Sequence, residues 1–215
     1  GMSGQIDASL QDFIKVIELN PNYDEAYNNI GIVYAMKNDM KNAVSYFEKA
    51  LKLDPNNVEA HYNIGDYYFN QKDYAAAFEH FQKIIMINHN SAIAYNKRGI
   101  IYGISKQYNL ALADFNRSLA IDPRNSEIFR NRGVVFEQKK MFKEAIQDYN
   151  TALKINSKNA DAYYGRGNSY ALTGRYGDAA EDFEKALTID PNHQGAKMSK
   201  QALIKILTEK NAKKK

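Results

Sequence analysis

The chain has 215 residues, 44% hydrophobic and 25% charged, with a formal net charge of +4 and neither cysteine nor tryptophan. That balance suits one or two soluble, folded domains. The missing cysteines exclude disulfides, thiolate nucleophiles and cysteine-held zinc or iron–sulfur centres.

Aliphatic runs such as Ile84-Ile85-Met86-Ile87 are far too short to span a bilayer. The start, Gly1-Met2-Ser3-Gly4-Gln5, lacks the basic and apolar stretches of a secretory signal, so a cytoplasmic protein is expected. Gly1 ahead of Met2 is expected to be the scar of a removed tag. From Gln194 onward seven lysines face one acid, Glu209, giving +6 and leaving −2 on residues 1–193 of the total of +4. The basicity therefore belongs to one end, and a solvated tail is the expected reading.

The four prolines, Pro21, Pro55, Pro123 and Pro191, are separated by multiples of 34 residues. Four other columns keep the same period five times each. They are Gly31, Gly65, Gly99, Gly133 and Gly167; Ala43, Ala77, Ala111, Ala145 and Ala179; Tyr34, Tyr68, Tyr102, Phe136 and Tyr170; and Phe47, Phe81, Phe115, Tyr149 and Phe183. A fixed period of this kind predicts a repeat architecture.

Along the chain, Gly4-Gln5-Ile6-Asp7 aligns with a mid-repeat turn, and Ser9, Phe13 and Val16 with a second helix. Residues 4–23 thus predict a half-repeat whose first helix is missing. Either the chain is cut from a longer protein or this helix is an unusual cap. Five full units follow, 24–57, 58–91, 92–125, 126–159 and 160–193. In the first, Tyr27, Ile30, Gly31 and Tyr34 make one helical stripe and Ala43, Phe47, Ala50 and Leu51 another, with Lys37-Asn38-Asp39 turning between them. Proline in Asp54-Pro55-Asn56-Asn57 ends the second helix. A mid-helix glycine costs about 1 kcal/mol against alanine, so Gly31 is expected to let the two helices approach closely while the aromatic columns fill the space between hairpins. Ala196, Ser199, Leu203 and Ile206/Leu207 form one apolar stripe among lysines, predicting a capping helix over 194–210 with a basic, disordered tail at 211–215.

Tyr27-x-x-Ile30-Gly31-x-x-Tyr34, Ala43, Phe47, Ala50 and Pro55 resemble the tetratricopeptide repeat, and the match recurs through residue 193. Departures are His61 in the first aromatic column, His89 and Ser157 for the terminal proline, and Ile84 and Ser118 for the late alanine. The resemblance implies an all-α, right-handed superhelical solenoid of antiparallel helix hairpins forming one array over 4–193. Its concave face would be lined by the first helix of each repeat.

Before the repeat glycine stand Arg98, Arg132 and Arg166 in the last three units but Ile30 and Ile64 in the first two. Sixteen residues later the same split recurs, with Asp114, Asp148 and Asp182 against Tyr46 and His80. Level positions on antiparallel helices predict the ion pairs Arg98–Asp114, Arg132–Asp148 and Arg166–Asp182, which is a structural reading rather than a substrate clamp.

Positions facing the groove in this family give a candidate peptide-binding set: Asn28, Asn29, Tyr62, Asn63, Asp66, Phe69, Asn96, Lys97, Arg130, Asn131, Tyr164 and Asn168. An asparagine amide both donates and accepts, so a ladder of them suits the backbone of an extended peptide. A similar ladder is known in the substrate-recruiting repeats of O-GlcNAc transferase. Glu25, Glu59, Asp66, Glu127, Glu137 and Asp161 outnumber Lys97 and Arg130, so the groove is expected to be acidic and its partner neutral or basic. Asn63 and Lys97 partly match the co-chaperone clamp for acidic chaperone tails, but Ile32, Ile93 and Glu127 stand where it needs polar or basic groups.

The histidines His61, His80, His89 and His193 occupy different repeat positions without an i+4 partner, so packing or surface roles are expected and no metal. There is no phosphate-binding loop and no nucleophile elbow. The expected function is a non-catalytic protein-interaction scaffold without cofactor, binding an extended peptide or partner surface. The alternative is a substrate-recruiting accessory domain of a larger protein or enzyme. No membrane is expected, and no nucleic acid either, because base-stacking aromatics are missing near the lysines. An open apolar face near Phe13 suggests self-association through the half-repeat.

Overall fold

In the computed structural model, the structure describes residues 2–212, with side chains for residues 5–209. These form α1 (Met2–Leu19), α2 (Asp24–Met36), α3 (Met40–Leu53), α4 (Val58–Asn70), α5 (Tyr74–Ile87), α6 (Ala92–Ile104), α7 (Tyr108–Ile121), α8 (Ser126–Gln138), α9 (Phe142–Ile155), α10 (Ala160–Leu172), α11 (Tyr176–Ile189) and α12 (Gln194–Ala212). No strand occurs among the described residues. The chain divides into two compact units, Gly1–Ile101 and Tyr102–Lys215.

Local chemistry sets the hairpins. Each first helix stops at a residue in the left-handed region: Asn38, Lys72, Lys106, Lys140 and Gly174, with φ of 60°, 62°, 58°, 59° and 81°. There the chain reverses through paired backbone bonds, as where Asn38 N–H donates to the Ala35 carbonyl at 2.9 Å and Asp39 N–H to that of Tyr34 at 2.9 Å. Side-chain caps then open several helices. Asp39 accepts from Asn42 N–H in α3, Asp73 from Ala76 N–H in α5, Asn57 from Ala60 N–H in α4 and Asn159 from Ala162 N–H in α10.

In the first unit α2 packs on α3 and α4 on α5, while α1 covers α2 and α3 meets α4. Ala43, Phe47, Ala50, Ala60 and Ile64 form one buried cluster there, and Ala77, Phe81, Ile84, Ile85, Ala94 and Ile101 another. In the second unit the hairpins are α8–α9 and α10–α11, with α7 against α8, α9 against α10 and α12 against α11. The glycine column is shaped by the aromatic of its own hairpin. A Cβ on Gly31 would lie 2.5 Å from the Phe47 ring, and one on Gly167 2.8 Å from the Phe183 ring. The vacancy therefore takes a ring from inside the hairpin as well as admitting the neighbouring helix, whereas the aromatic columns were expected only between hairpins.

The arginine–aspartate split marks one slot filled in three ways. Arg132 Nε and Nη2 donate to Asp148 Oδ2 and Oδ1, each at 2.7 Å, and Arg166 does the same to Asp182. Both guanidiniums also donate from Nη1 to the preceding second helix, to Asn116 and Asn150 at 2.6 Å. Arg98 Nη1 donates likewise to Gln82. The Arg98–Asp114 pair joins residues of different units and stays an expectation. In the first repeat Tyr46 fills the slot instead, stacked on Tyr34 with centroids 5.3 Å apart and near Tyr27 at 6.4 Å.

In the second repeat the slot holds His80, beside Tyr68, with its Nδ1 2.9 Å from His61 Nδ1. His61 Nε2 lies 3.0 Å from the Pro55 carbonyl, which can only accept. His61 therefore carries its proton on Nε2, and His80 donates from Nδ1. Burial depresses both pKa values below the ordinary 6.5, and the neighbouring His61 helps push His80 down to about 4. The unfolded chain thus takes up these protons first as pH falls. This contribution to stability is intact above about pH 6.5 and is lost toward pH 4. Comparing urea midpoints at pH 7 and pH 5, wild type is expected to lose more stability than His80→Tyr, which copies the aromatic filling of the first repeat.

Both ends depart from the expected frame. α1 starts at Met2, so Gly4–Asp7 is helix and not a turn; no proline stands there to stop it, and Gly4 lies in the first turn. Asp7 instead pairs with Lys37 at 2.8 Å. Phe13 is half-buried and packs with Ile6, Ile14 and Ile17 against Leu10, Ile30 and Val33. α2 covers part of the apolar face expected there, and self-association through α1 stays an expectation. α12 buries Ala196 and Leu203 and continues to Ala212, past the expected 210. Of the expected tail, residues 213–215 lie outside the described residues.

Candidate interaction face

A helical wheel gives direction but not depth, and the twelve candidate side chains separate by depth. Asn28, Asn96 and Asn131 are buried. Asn29, Tyr62, Asn63, Asp66, Phe69, Lys97, Arg130, Tyr164 and Asn168 keep partial exposure on the first helices.

In the first unit Asn63 donates from Nδ2 to Asn28 Oδ1 at 3.4 Å, so two asparagines of successive repeats touch. Beside them Lys97 donates from Nζ to Asp66, and its ammonium sits 5.0 Å above the Phe69 ring. Asp66, Phe69 and Lys97 therefore form one cluster that neutralises part of the expected acidity. Glu59 remains exposed. Tyr62 packs on Phe81 and, with Val58, Glu59, Ile84, Ser91 and Ile93, lines a cavity of about 370 Å³.

In the second unit Arg130 Nη2 lies 4.0 Å from Asp161, while its Nε is buried without a hydrogen-bond partner. Tyr164 is held between Phe183 and His193, and a Cβ on Gly195 would come within 2.8 Å of its ring. Gly165 stands where the asparagine column would continue, and a Cβ there would meet Tyr149 at 2.5 Å. The column ends because that ring needs the room.

Two roles escaped the sequence reading. His193 Nδ1 accepts from Ala196 N–H at 3.1 Å, so it caps α12, and its protonated Nε2 faces Asp161 at 3.1 Å. Tyr149 is the one tyrosine in a phenylalanine column and is fully buried. A buried hydroxyl needs an acceptor, and Tyr149 donates to Glu137 Oε2 at 3.4 Å, joined by Ser169 at 3.1 Å. Burial raises the Glu137 pKa although both hydroxyls favour its charged form. Burial and that carboxylate push the Tyr149 phenol upward. Among the described residues no group of three metal-ligating side chains occurs, and no helix is long and apolar enough to cross a membrane.

A family model described as the ETO1 C-terminal domain matches residues 3–203. The chain belongs to that family. The chain is built of tetratricopeptide repeats, as its structural relatives are. YrrB, solved as a tetratricopeptide-repeat protein with an unusual peptide-binding site, is 26% identical, with a TM-score of 0.72 over 88% of this chain and 97% of its own. MamA is 26% identical at a TM-score of 0.67, covering 75% of this chain and 95% of its own. PilF of Pseudomonas aeruginosa, 16% identical, shares the fold with a TM-score of 0.80 over 94% and 91% of the two chains. No curated protein matches the sequence significantly. The fold is that of protein-interaction scaffolds.

Proposed function

We propose that the chain is a non-catalytic, cytoplasmic scaffold whose first helices receive an extended segment of a partner protein. The second helices bury alanine and aromatic side chains, whereas the first helices present Asn29, Tyr62, Asn63, Asp66, Phe69, Lys97, Arg130, Tyr164 and Asn168 partly open. The observation that carries the reading is the contact between Asn63 and Asn28, beside the Asp66–Lys97–Phe69 cluster. It sets amide donors and acceptors next to an aromatic surface and an apolar cavity. Similarity to YrrB, which has an unusual peptide-binding site, supports the same use.

Charge selects the partner. Lys97 is engaged by Asp66, while Glu25, Glu59 and Glu127 stay exposed, so a neutral or basic segment is favoured. Peptide arrays varied in charge should bind in the order basic, neutral, acidic. Asn29→Ala with Asn63→Ala should weaken the best peptide about tenfold, the loss of one or two good hydrogen bonds, with helicity by circular dichroism unchanged. Capture that favours acidic sequences would overturn the proposal.

A further inference from the structure

The second unit holds a cavity of about 350 Å³ bounded by α8, α10, α11 and α12. Its walls are mostly apolar: Ala171, Leu172, Phe183, Leu203 and Ile206 among them. Glu137 also lines it, as does Asn168 of the candidate set.

Glu137 is unusual among the carboxylates of this chain. It is largely removed from water, yet its partners are the hydroxyls of Ser169 and Tyr149, which bring no positive charge. No lysine, arginine or histidine lines the cavity. A desolvated carboxylate of this kind gains most from a cation. The two hydroxyls converge on one oxygen, Oε2, and neither bonds Oε1. One oxygen suits a single ammonium better than the two-pronged guanidinium of arginine. An aliphatic stem would lie against the apolar walls, as lysine stems do on apolar surface.

We propose that this cavity receives a lysine side chain of the partner, its stem against Leu172, Leu203 and Ile206 and its ammonium at Glu137. The assignment rests on the extended-segment reading above and adds to it the identity of one partner residue. A neutral apolar side chain would leave the carboxylate further desolvated and unpaired, and an acidic one would be repelled.

The test titrates the full ¹⁵N-labelled chain with Nα-acetyl-lysine N-methylamide and, separately, with the norleucine analogue, which keeps the stem and lacks the ammonium. Amide shifts around Asn168, Ser199, Ala202 and Leu203 are expected with the lysine probe. The norleucine probe, and the lysine probe on Glu137→Gln, should bind about tenfold more weakly, the scale of one charge-assisted hydrogen bond. Should Glu137→Gln lose its fold, Ala202→Phe on the exposed side of α12 fills the cavity instead and should abolish the shifts. Equal binding of the two probes, or lysine shifts surviving Ala202→Phe, would overturn the pocket. If that happens while Asn29/Asn63-dependent peptide binding persists, the pocket alone is wrong. If both vanish, the scaffold reading fails with it.

Discussion

Replacing Arg166 with leucine is expected to destabilise the second unit by about 3–5 kcal/mol, and replacing Asp182 with leucine as well should restore most of the loss. The reason lies in where the pair sits. Asp182 is 2% exposed and takes two 2.7 Å bonds from the guanidinium, whose planar faces lie near Tyr163 and Tyr170. Taking away the cation leaves a buried carboxylate without its two-pronged partner, and it also frees the side-chain amide oxygen of Asn150 on the preceding helix. Taking away both charges leaves an apolar slot of the kind Tyr46 already fills in the first repeat. Equilibrium unfolding in urea of the wild type, both single variants and the double variant closes the cycle. Because repeats are stabilised by their neighbours, the single variant should lose hydrogen-exchange protection first in α10–α12, with α2–α5 still protected. Additive losses in the cycle would mean that the two side chains act separately.

The Arg166–Asp182 pair was readable because two antiparallel helices and a short turn put positions sixteen residues apart at one level. Gly31 and Phe47 are related by the same spacing, and so is each arginine with the amide behind it. That third partner, Gln82, Asn116 or Asn150, was overlooked although it too forms a column. What spacing within one repeat does not give is contact across several. Glu137, Tyr149 and Ser169 come from α8, α9 and α10, and only the odd hydroxyl in a phenylalanine column hinted at their meeting. His61 and His80 were separated into different repeat positions, yet the slot that holds aspartate elsewhere brings them to 2.9 Å. The candidate face was read from angle around the helix. Depth is set by the neighbouring hairpin, so Asn28, Asn96 and Asn131 lie buried while Asn29 and Asn63 stay reachable.

Glycine-to-alanine substitution offers a test that takes opposite signs at two places, one inside the glycine column and one outside it. Gly31→Ala should destabilise the first unit by about 1–2 kcal/mol, even though alanine is the better helix former by about 1 kcal/mol. The new Cβ would stand 2.5 and 2.6 Å from two carbons of the Phe47 ring and 3.0 Å from the Ala43 carbonyl oxygen. Phe47 is 1% exposed and packed with Ala60 and Ile64, so the ring cannot swing away, and the carbonyl belongs to the backbone of the facing helix. Relief therefore requires α2 and α3 to part, which loosens the whole hairpin. Gly177→Ala, in the first turn of α11 with nothing within 4 Å of its Cβ, should instead gain a few tenths of a kcal/mol, up to about 1. Phe47→Leu on its own opens a cavity and costs stability, but combined with Gly31→Ala it makes room for the methyl, so the double variant should be more stable than the sum of the two losses. Urea midpoints for the four proteins decide it. A stabilised Gly31→Ala would mean that the hairpin yields more easily than its packing implies, and the close approach of α2 and α3 would no longer explain why glycine stands there.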